Sequence, residues 1–363
     1  MAINNTGSEH LGGQPVFVTG ATGFIGSRLV PALLEAGAKV TALLRSRHGA
    51  RGLEAMGVRV ITGALDDSAA LQTALQGQSV LFHLAYDVRA SAASNLAAFD
   101  TLRDAAETAG VGRIVYTSSI VTYDGWPHLD LTEDSPQAPA GDASYQQAKV
   151  TMEQALMQGN CPTAILQPTL VYGPGSMLWT DQLADWMAAG TVVLPEPEGR
   201  CNAVFVDDLV QAMLRAAQLE GLRQERFIIS GPAPVAWSDL LLGYAGIIGH
   251  GAVRHVPLST LEARLPPEDI SETSDTPSLA ARVSATARMW IGSKRFEKLV
   301  RAVKRRRPQH GDIFPDRYML DLYSARGRCR IDHARARLGY APSYTLEAGL
   351  DATRPYLEAR FGR

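Results

Sequence analysis

The stretch Thr19-Gly20-Ala21-Thr22-Gly23-Phe24-Ile25-Gly26 decides the fold of this chain. It follows an apolar, β-rich run, Val16–Thr19, and opens a segment with helical spacing, Phe24–Ala36. In such a strand–loop–helix unit the first glycine permits a tight turn, the second lets the backbone approach a pyrophosphate, and the third lets helix and strand pack closely. The free N–H groups of the helix N-terminus then face the phosphates. This order of elements favours dinucleotide binding over a purely structural turn.

Short apolar runs alternate with helical patterns through the first half of the chain. We expect further strands at Lys39–Leu44, Val58–Ile61, Val80–Leu84, Arg113–Thr117 and Thr163–Leu166, and helices at Ala92–Ala109 and Ser144–Gln158. This alternation requires crossover connections, so it predicts an α/β fold of the Rossmann type, a doubly wound parallel sheet. This alternation of strands and helices ends at about Tyr172. We therefore predict a dinucleotide-binding domain at 15–175 and a smaller, mostly helical substrate-binding region at 176–363, some of whose elements return to the Rossmann core.

Composition excludes several classes of protein. The chain has 363 residues, of which 46% are hydrophobic, so wholesale disorder is excluded. Its formal net charge of -2 argues against nucleic acid as a partner. The polar segment Met1–Gln14 lacks a signal-peptide pattern and is predicted to be a flexible tail. The three widely spaced cysteines match neither a disulfide framework nor a metal site, and they favour a reducing cytoplasm.

The residue type at the end of the second strand indicates which of the two nicotinamide cofactors binds. An acidic residue there would bind the 2′-hydroxyl of the adenine ribose. This chain instead carries Leu44-Arg45-Ser46-Arg47. The guanidinium of Arg45 suits a 2′-phosphate, which favours NADP over NAD. The alternative is a solvated arginine in an arginine-rich protein.

A tyrosine and a lysine share one helix face in Tyr145-Gln146-Gln147-Ala148-Lys149. An ammonium beside a phenol favours the phenolate, so Lys149 would make Tyr145 a competent acid/base. Lys149 could also hydrogen-bond the nicotinamide ribose. A hydroxyl that polarises the substrate oxygen should come from the end of the fifth strand, where Ser119 stands. Ordinary capping of the strand end is the alternative for that serine.

The sequence resembles the extended short-chain dehydrogenases/reductases, also called the NAD-dependent epimerase/dehydratase family. The resemblance spans residue 16 to about 350. The matching segments are Thr19–Gly26, Phe82–Ala85, Thr117–Ser119, Tyr145–Lys149, Gln167–Gly175, Val204–Leu209 and Leu338–Pro342.

The resemblance implies hydride transfer to or from a nicotinamide cofactor. It assigns Tyr145 as acid/base, Lys149 as its electrostatic partner and Ser119 to the substrate carbonyl. The residues assigned to the cofactor are Gly20, Thr22, Gly23, Phe24, Ile25, Gly26, Arg45, Leu65, Ala85, Lys149, Pro168 and Leu170.

Two departures from the family pattern bear on the substrate. Members that act on nucleotide sugars commonly clamp the diphosphate with two arginines, whose positions here hold Cys201 and Leu322. Arg200 lies one residue out of register, and Arg326 or Arg328 could substitute only if the loop shifts. Ser118–Val121 carries no acid beside the serine, which argues against dehydration.

The expected substrate wall is apolar. Met177, Trp179, Trp186 and neighbouring residues in Ser176–Ala188 could line a site for a hydrophobic ketone or alcohol, or could be the core face of an amphipathic helix. Trp126 belongs to the loop between Ser119 and Tyr145, so we expect it to overhang the site.

Residues 282–307 carry ten basic side chains and one acid in an amphipathic pattern. We favour a solvated face, with peripheral docking on anionic lipid as the alternative. A homodimer is compatible with these features.

These observations favour an oxidoreductase that interconverts a ketone and a secondary alcohol on a fairly apolar small molecule, as dihydroflavonol reductases and 3β-hydroxysteroid dehydrogenases do. A nucleotide-sugar epimerase or reductase is the rival within the same family. A non-catalytic NADP-sensing scaffold is the third hypothesis, against which the intact Ser119, Tyr145 and Lys149 argue.

Overall fold

A seven-stranded parallel sheet forms the centre of a computed structural model, which describes residues 11–266 and 311–362. From one edge to the other its strands are β3 (Arg59–Thr62), β2 (Lys39–Leu44), β1 (Pro15–Thr19), β4 (Val80–His83), β5 (Arg113–Thr117), β6 (Thr163–Pro168) and β11 (Gln224–Ile229). The strand order reverses between β1 and β4, which makes their carboxyl ends the switch point where ligands bind in such sheets. The predicted Rossmann sheet is thereby confirmed.

Helices cover both faces of the sheet. They are α1 (Gly26–Glu35), α2 (Ala50–Ala55), α3 (Ser68–Leu75), α4 (Ala92–Thr108), α5 (Tyr145–Gln158) and α7 (Val206–Gln218). The strands divide their side chains between two cores, because successive residues of a strand point to opposite faces. In β1, Val16 and Val18 join the core with α1 and α7, whereas Phe17 joins the core with α3, α4 and α5.

The second half of the chain mixes helices with short strands. A three-stranded parallel sheet has the order β13 (Ala252–Pro257), β8 (Gly190–Glu196) and β14 (Gly311–Ile313). The two-stranded pairs are β7 (Leu170–Tyr172) with β10 (Ala203–Phe205), and β9 (Arg200–Cys201) with β12 (Val235–Ala236). The helices are α6 (Leu183–Ala189), α8 (Trp237–Ile248), α9 (Leu258–Glu262), α10 (Arg317–Ser324), α11 (Asp332–Leu338) and α12 (Leu346–Phe361).

The predicted flexible tail, 1–14, is too long at its C-terminal end. Leu11 is only 1% exposed and packs in the core. Its N–H donates to the Ala36 carbonyl at 2.7 Å, and the Gly13 N–H donates to the Gly37 carbonyl at 2.9 Å. Residues 11–14 therefore dock on the end of α1, because Leu11 buries apolar surface there.

Other sequence-based expectations concern membranes, metals and thiols. The basic segment 282–307 lies outside the described residues. Within the described ranges, no helix combines the length and hydrophobicity needed to cross a membrane. Nor do those ranges hold a cluster of three or more metal-ligating side chains. Cys161, Cys201 and Cys329 are free thiols.

Candidate active site

The glycine loop lies at the switch point and leaves no room for side chains. Gly20 has φ +76°, and a Cβ there would lie 3.0 Å from the backbone nitrogen of Ala85, which follows β4. A Cβ on Gly26 would lie 2.2 Å from the Gly20 carbonyl oxygen. Phe24 and Ile25 pack against the core beneath the loop. The bare backbone at the start of α1 fits the pyrophosphate of a dinucleotide.

The β1 and β4 ends are also joined by side chains. Thr19 Oγ1 lies 2.8 Å from His83 Nδ1 and accepts a hydrogen bond from the Ala85 N–H at 3.3 Å. Burial, assisted by the charge of Lys149, lowers the pKa of His83 to about 3. This neutral, fully buried imidazole holds the two strand ends in register beside the predicted cofactor residue Ala85.

Arg45 follows β2 directly, and its side chain is 67% exposed. Its guanidinium forms an ion pair with Asp87, which also bonds Arg89. Thr22 of the glycine loop contacts the same region, because a Cβ on Gly49 would lie 3.1 Å from its methyl group. The structure therefore places Arg45 at the carboxyl end of β2, beside β1, and gives it a carboxylate partner that no sequence motif indicated.

The remaining predicted cofactor residues border the carboxyl ends of β3 and β6. Leu65 is half-buried and packs against the core beneath α3 and α4. Pro168 ends β6 and Leu170 begins β7, and both are buried.

Ser119, Tyr145 and Lys149 come from two neighbouring elements. Ser119 immediately follows β5, and its hydroxyl accepts a hydrogen bond from the Val121 N–H at 3.4 Å. Tyr145 is the first residue of α5, and Lys149 lies one turn later. Because α5 packs beside the end of β5, the three predicted catalytic side chains lie at one place.

Burial controls the ionisation of Tyr145 and Lys149. It raises the pKa of Tyr145 to about 12, against a lowering effect of a hydrogen bond to Ser119. Burial lowers the pKa of Lys149 to about 7, and the Glu153 carboxylate opposes that change. The role of Lys149 as the electrostatic partner of Tyr145 stays a prediction.

The Lys149 ammonium is held by β5. Nζ donates to the Tyr116 hydroxyl at 3.0 Å and to the Thr117 carbonyl oxygen at 2.9 Å. It lies 5.8 Å from the centroid of the Tyr145 ring and 5.1 Å from that of Tyr86.

Two further tyrosines, which no sequence motif marked, affect Tyr145. Tyr86 packs edge-to-face on Tyr145, with ring centroids 5.0 Å apart. Tyr318 on α10 is 56% exposed and acts electrostatically on the Tyr145 phenol. The position of Tyr86 directly after Ala85 was an available signal, whereas no motif marks Tyr318. The ring of Tyr86 is therefore the aromatic neighbour that contacts Tyr145.

The predicted substrate residues fall into different environments. Met177 is 71% exposed on a π-helical turn, Met177–Gln182. Trp179 on that turn packs into the core, its ring centroid 6.1 Å from that of Trp237. Trp186 lines an apolar cavity of about 150 Å³ together with Met319 and Tyr323 of α10. Core packing therefore explains Trp179, while Met177 stays available at the surface.

The loop that carries Trp126 is joined to the C-terminal elements. Leu131 pairs with Cys329 in an isolated β-bridge, and His128 Nε2 lies 2.7 Å from Asp321 Oδ1 on α10. Trp126 is half-buried, and its Nε1 has no hydrogen-bond partner within the described residues. The loop thus links the Ser119 region to the helix that carries Tyr318.

The positions where relatives clamp a diphosphate hold buried, uncharged side chains. Cys201 is 0% exposed and Leu322 is 2% exposed. The guanidinium of the exposed Arg200 donates to the backbone carbonyl of Arg326 at 3.3 Å, so the Arg200 side chain lies beside the Arg326 backbone.

A sequence profile described as the NAD dependent epimerase/dehydratase family matches residues 16–230. The chain belongs to this family. It is accordingly an enzyme of the nicotinamide-dependent, extended short-chain dehydrogenase/reductase type.

Known proteins with full-length similarity include reductases and dehydrogenases. A 4-hydroxy-2-methyl-3-oxo-4-farnesyl-3,4-dihydroquinoline-1-oxide ketoreductase from Stigmatella aurantiaca is 28% identical over 359 residues, covering 93% of this chain and 95% of the ketoreductase. A 3 beta-hydroxysteroid dehydrogenase/Delta 5-->4-isomerase from Mycobacterium tuberculosis is 24% identical over 366 residues, covering 95% of this chain and 91% of that enzyme. The crystal structure of gox2253 shares the fold, with a TM-score of 0.68, 24% identity, and coverage of 96% of this chain and 99% of that one.

Proposed function

We propose that this enzyme is an NADP-dependent ketoreductase that interconverts a ketone and a secondary alcohol on a fairly apolar small molecule. The observation that carries the proposal is the edge-to-face packing of Tyr86 on Tyr145, which places an aromatic ring beside the candidate acid/base. Aromatic rings bind apolar bodies through buried area rather than charge. The full-length similarity to a ketoreductase supports the same reaction.

In the reduction direction, Tyr145 is the proton donor. Its raised pKa keeps the phenol protonated at neutral pH, so the hydroxyl can donate to a developing alkoxide. Ser119, which hydrogen-bonds Tyr145, orients the substrate oxygen toward that proton. The bound nicotinamide supplies the hydride in this direction and accepts it in the other.

We assign the cofactor to the loop and the strand ends. Gly20, Thr22, Gly23, Phe24, Ile25 and Gly26 would hold the pyrophosphate, with Leu65 by the adenosine and Ala85, Lys149, Pro168 and Leu170 by the nicotinamide riboside. Arg45 would bind the 2′-phosphate, which competes with Asp87 for the guanidinium. Trp126 and Met177 are proposed to contact the substrate.

The cofactor preference is tested by fluorescence titration with NADPH and NADH. A charge-assisted contact is worth about 1.5–3 kcal/mol, so NADPH should bind roughly 10- to 100-fold more tightly. Arg45→Gln should remove the difference, and Asp87→Asn should increase it. Equal affinities of the unchanged protein for both cofactors would contradict the assignment.

Substrate class is tested by following NADPH consumption with cyclic and aryl ketones. Nucleotide sugars are titrated in parallel by calorimetry. We expect ketone reduction and weak or absent binding of UDP- and GDP-sugars, because Cys201 and Leu322 supply no charge for a diphosphate.

A nucleotide-sugar epimerase is the second candidate, and one observation favours it. The exposed Arg200 lies next to Cys201 and donates to the Arg326 backbone, so this one cation stands close to the expected diphosphate position. Micromolar binding of a nucleotide sugar, with no ketone turned over, would establish this candidate instead. Arg200→Gln should then weaken that binding.

A further inference from the structure

Glu153 lies one helical turn after Lys149 on α5 and is completely buried. Its carboxylate accepts hydrogen bonds from four side chains. They are the Ser118 hydroxyl at 2.5 Å, Gln137 Nε2 at 2.7 Å, Gln167 Nε2 at 3.0 Å and Arg226 Nε at 3.0 Å. A carboxylate removed from water is costly unless its charge is paired and its oxygens are bonded, and this one meets both conditions.

Arg226 is the charged partner in this cluster. Its guanidinium bonds both Glu153 and the side-chain oxygen of Gln137, at 3.0 Å each. Arg226 lies on β11, the edge strand that the second half of the chain adds to the central sheet. Neither Glu153 nor Arg226 belongs to a sequence motif described above.

The cluster connects the elements that carry the candidate catalytic residues. Ser118 directly precedes Ser119 at the end of β5, and Gln167 lies on β6 beside it. Glu153 therefore fastens α5, with Tyr145 and Lys149, to two neighbouring strand ends. A small rotation of α5 would break several of these hydrogen bonds at once.

The charge of Glu153 also acts on Lys149. The other titratable groups around the ammonium are Tyr116 on β5, Tyr86 after β4, Tyr145 on α5 and His83 on β4. The phenols and the low-pKa imidazole are uncharged at neutral pH. Burial lowers the pKa of Lys149 to about 7, and Glu153 is the group that opposes this.

We propose that Glu153, held by Arg226, is a positioning residue that fixes α5 against the end of β5 and compensates the buried charge of Lys149. The proposal rests on the roles given above to Ser119, Tyr145 and Lys149. It adds that β11, from the second half of the chain, helps to fix the position of α5 through the Arg226–Glu153 ion pair.

The first test is a lysine titration that needs no substrate. The full chain has five lysines, so protein labelled with 13Cε-lysine gives few NMR signals, and Lys149→Met identifies the relevant one. Glu153→Gln should move the Lys149 titration to lower pH by about one unit or more, since a nearby opposite charge has effects of this size. Glu153→Asp, which keeps the charge, should restore most of the shift.

Glu225→Gln is the matched control. Glu225 lies next to Arg226 on β11 and pairs with Arg337 at 2.9 Å, away from α5. This variant also breaks an arginine–glutamate pair of the same strand, and it should leave the Lys149 titration unchanged. If Lys149 titrates as in the unchanged protein when Glu153 is Gln, the proposal is overturned.

A second variant covers the possibility that Glu153→Gln does not fold, because it leaves Arg226 without its partner. The double variant Glu153→Gln/Arg226→Gln removes both charges, and it too should lower the Lys149 pKa. An unchanged titration in that protein would also overturn the proposal.

Kinetics provide the functional readout. With NADPH and a ketone that the unchanged enzyme reduces, the high-pH loss of kcat in Glu153→Gln should occur at lower pH, with KM altered less than kcat. A pH profile identical to that of the unchanged enzyme would refute the positioning role. If no ketone is reduced by the unchanged enzyme but Lys149 still shifts in the NMR titration, the proposed function fails and this inference stands.

Discussion

At the residue scale, the chemistry depends on the immediate neighbours of a few polar groups. Tyr145 shows this most directly, because its ring is bordered by Tyr86 while its hydroxyl bonds Ser119. Tyr145→Phe removes the proton that can be transferred but keeps the ring in place. We expect kcat for ketone reduction to fall by roughly 10²- to 10⁴-fold, with cofactor affinity nearly unchanged.

Stopped-flow measurement of NADPH oxidation checks this expectation. Tyr356→Phe is the control, because Tyr356 bonds Asp181 on the π-helical turn. Near-normal turnover in Tyr145→Phe would mean that another group supplies the proton.

His83 gives a pH dependence of stability at the same scale. Its pKa is about 3 in the folded chain, against about 6.5 in an unfolded one, so only the unfolded state binds its proton between these values. Stability therefore falls as the pH drops from about 6.5 toward 3. Between pH 6.5 and 5 this residue alone should reduce the free energy of unfolding by about 1.5 kcal/mol.

Urea denaturation at the two pH values measures the effect. His83→Gln should lose this part of the acid sensitivity, whereas substitution of the exposed His48 should not. The same slope in His83→Gln and in the unchanged protein would show that other groups cause the acid sensitivity.

At the element scale, the sequence predicts a helix or strand best when the residues of that element alone determine its structure. Lys39–Leu44 and Arg113–Thr117 form strands with the predicted bounds, because strands buried on both faces are continuous apolar runs. The helices Ala50–Ala55 and Ser68–Leu75 escaped prediction, since each is short and exposes most of its surface. The sheet of β8, β13 and β14 also escaped, because its pairings join segments far apart in the chain.

The residues of the candidate site were likewise predictable only when a local sequence pattern marked them. Ser119, Tyr145 and Lys149 were found because their spacing along the chain carries the chemistry. Glu153 was not, because what matters about it is the neighbour that the fold provides, Arg226 from β11. The same limitation hid Asp87, the partner of Arg45.

The glycine loop supplies the test for this scale. Gly26→Ala places a Cβ 2.2 Å from the Gly20 carbonyl, so the loop or the start of α1 must move. NADPH affinity should fall by roughly tenfold or more, since a loss of only 1.4 kcal/mol is sufficient. Gly52→Ala, inside α2 with no atom within 4 Å of the new Cβ, should stabilise the protein by about 0.5–1 kcal/mol and leave affinity unchanged. Unchanged affinity in Gly26→Ala would place the cofactor elsewhere.

At the scale of the whole molecule, one hydrophobic core includes residues from both halves. Leu29 of α1 and Leu357 of α12 belong to the same cluster of buried side chains. Tyr340 follows α11 and is buried. Its hydroxyl donates a 2.8 Å hydrogen bond to the backbone carbonyl of Ser230, which follows β11. Elements of the predicted substrate-binding region therefore share the sheet and the core of the first half of the chain.

A single cooperative unfolding transition should follow from this shared core. Far-UV circular dichroism reports mainly the helices of both halves, whereas four of the five tryptophans, Trp179, Trp186, Trp237 and Trp290, lie in the second half of the chain. Tyr340→Phe leaves a buried carbonyl without its donor, which costs about 1–3 kcal/mol. If the halves unfold together, this change must lower the urea midpoint of both signals equally. Separate transitions, or a shift seen in fluorescence alone, would show that the second half is an independent domain.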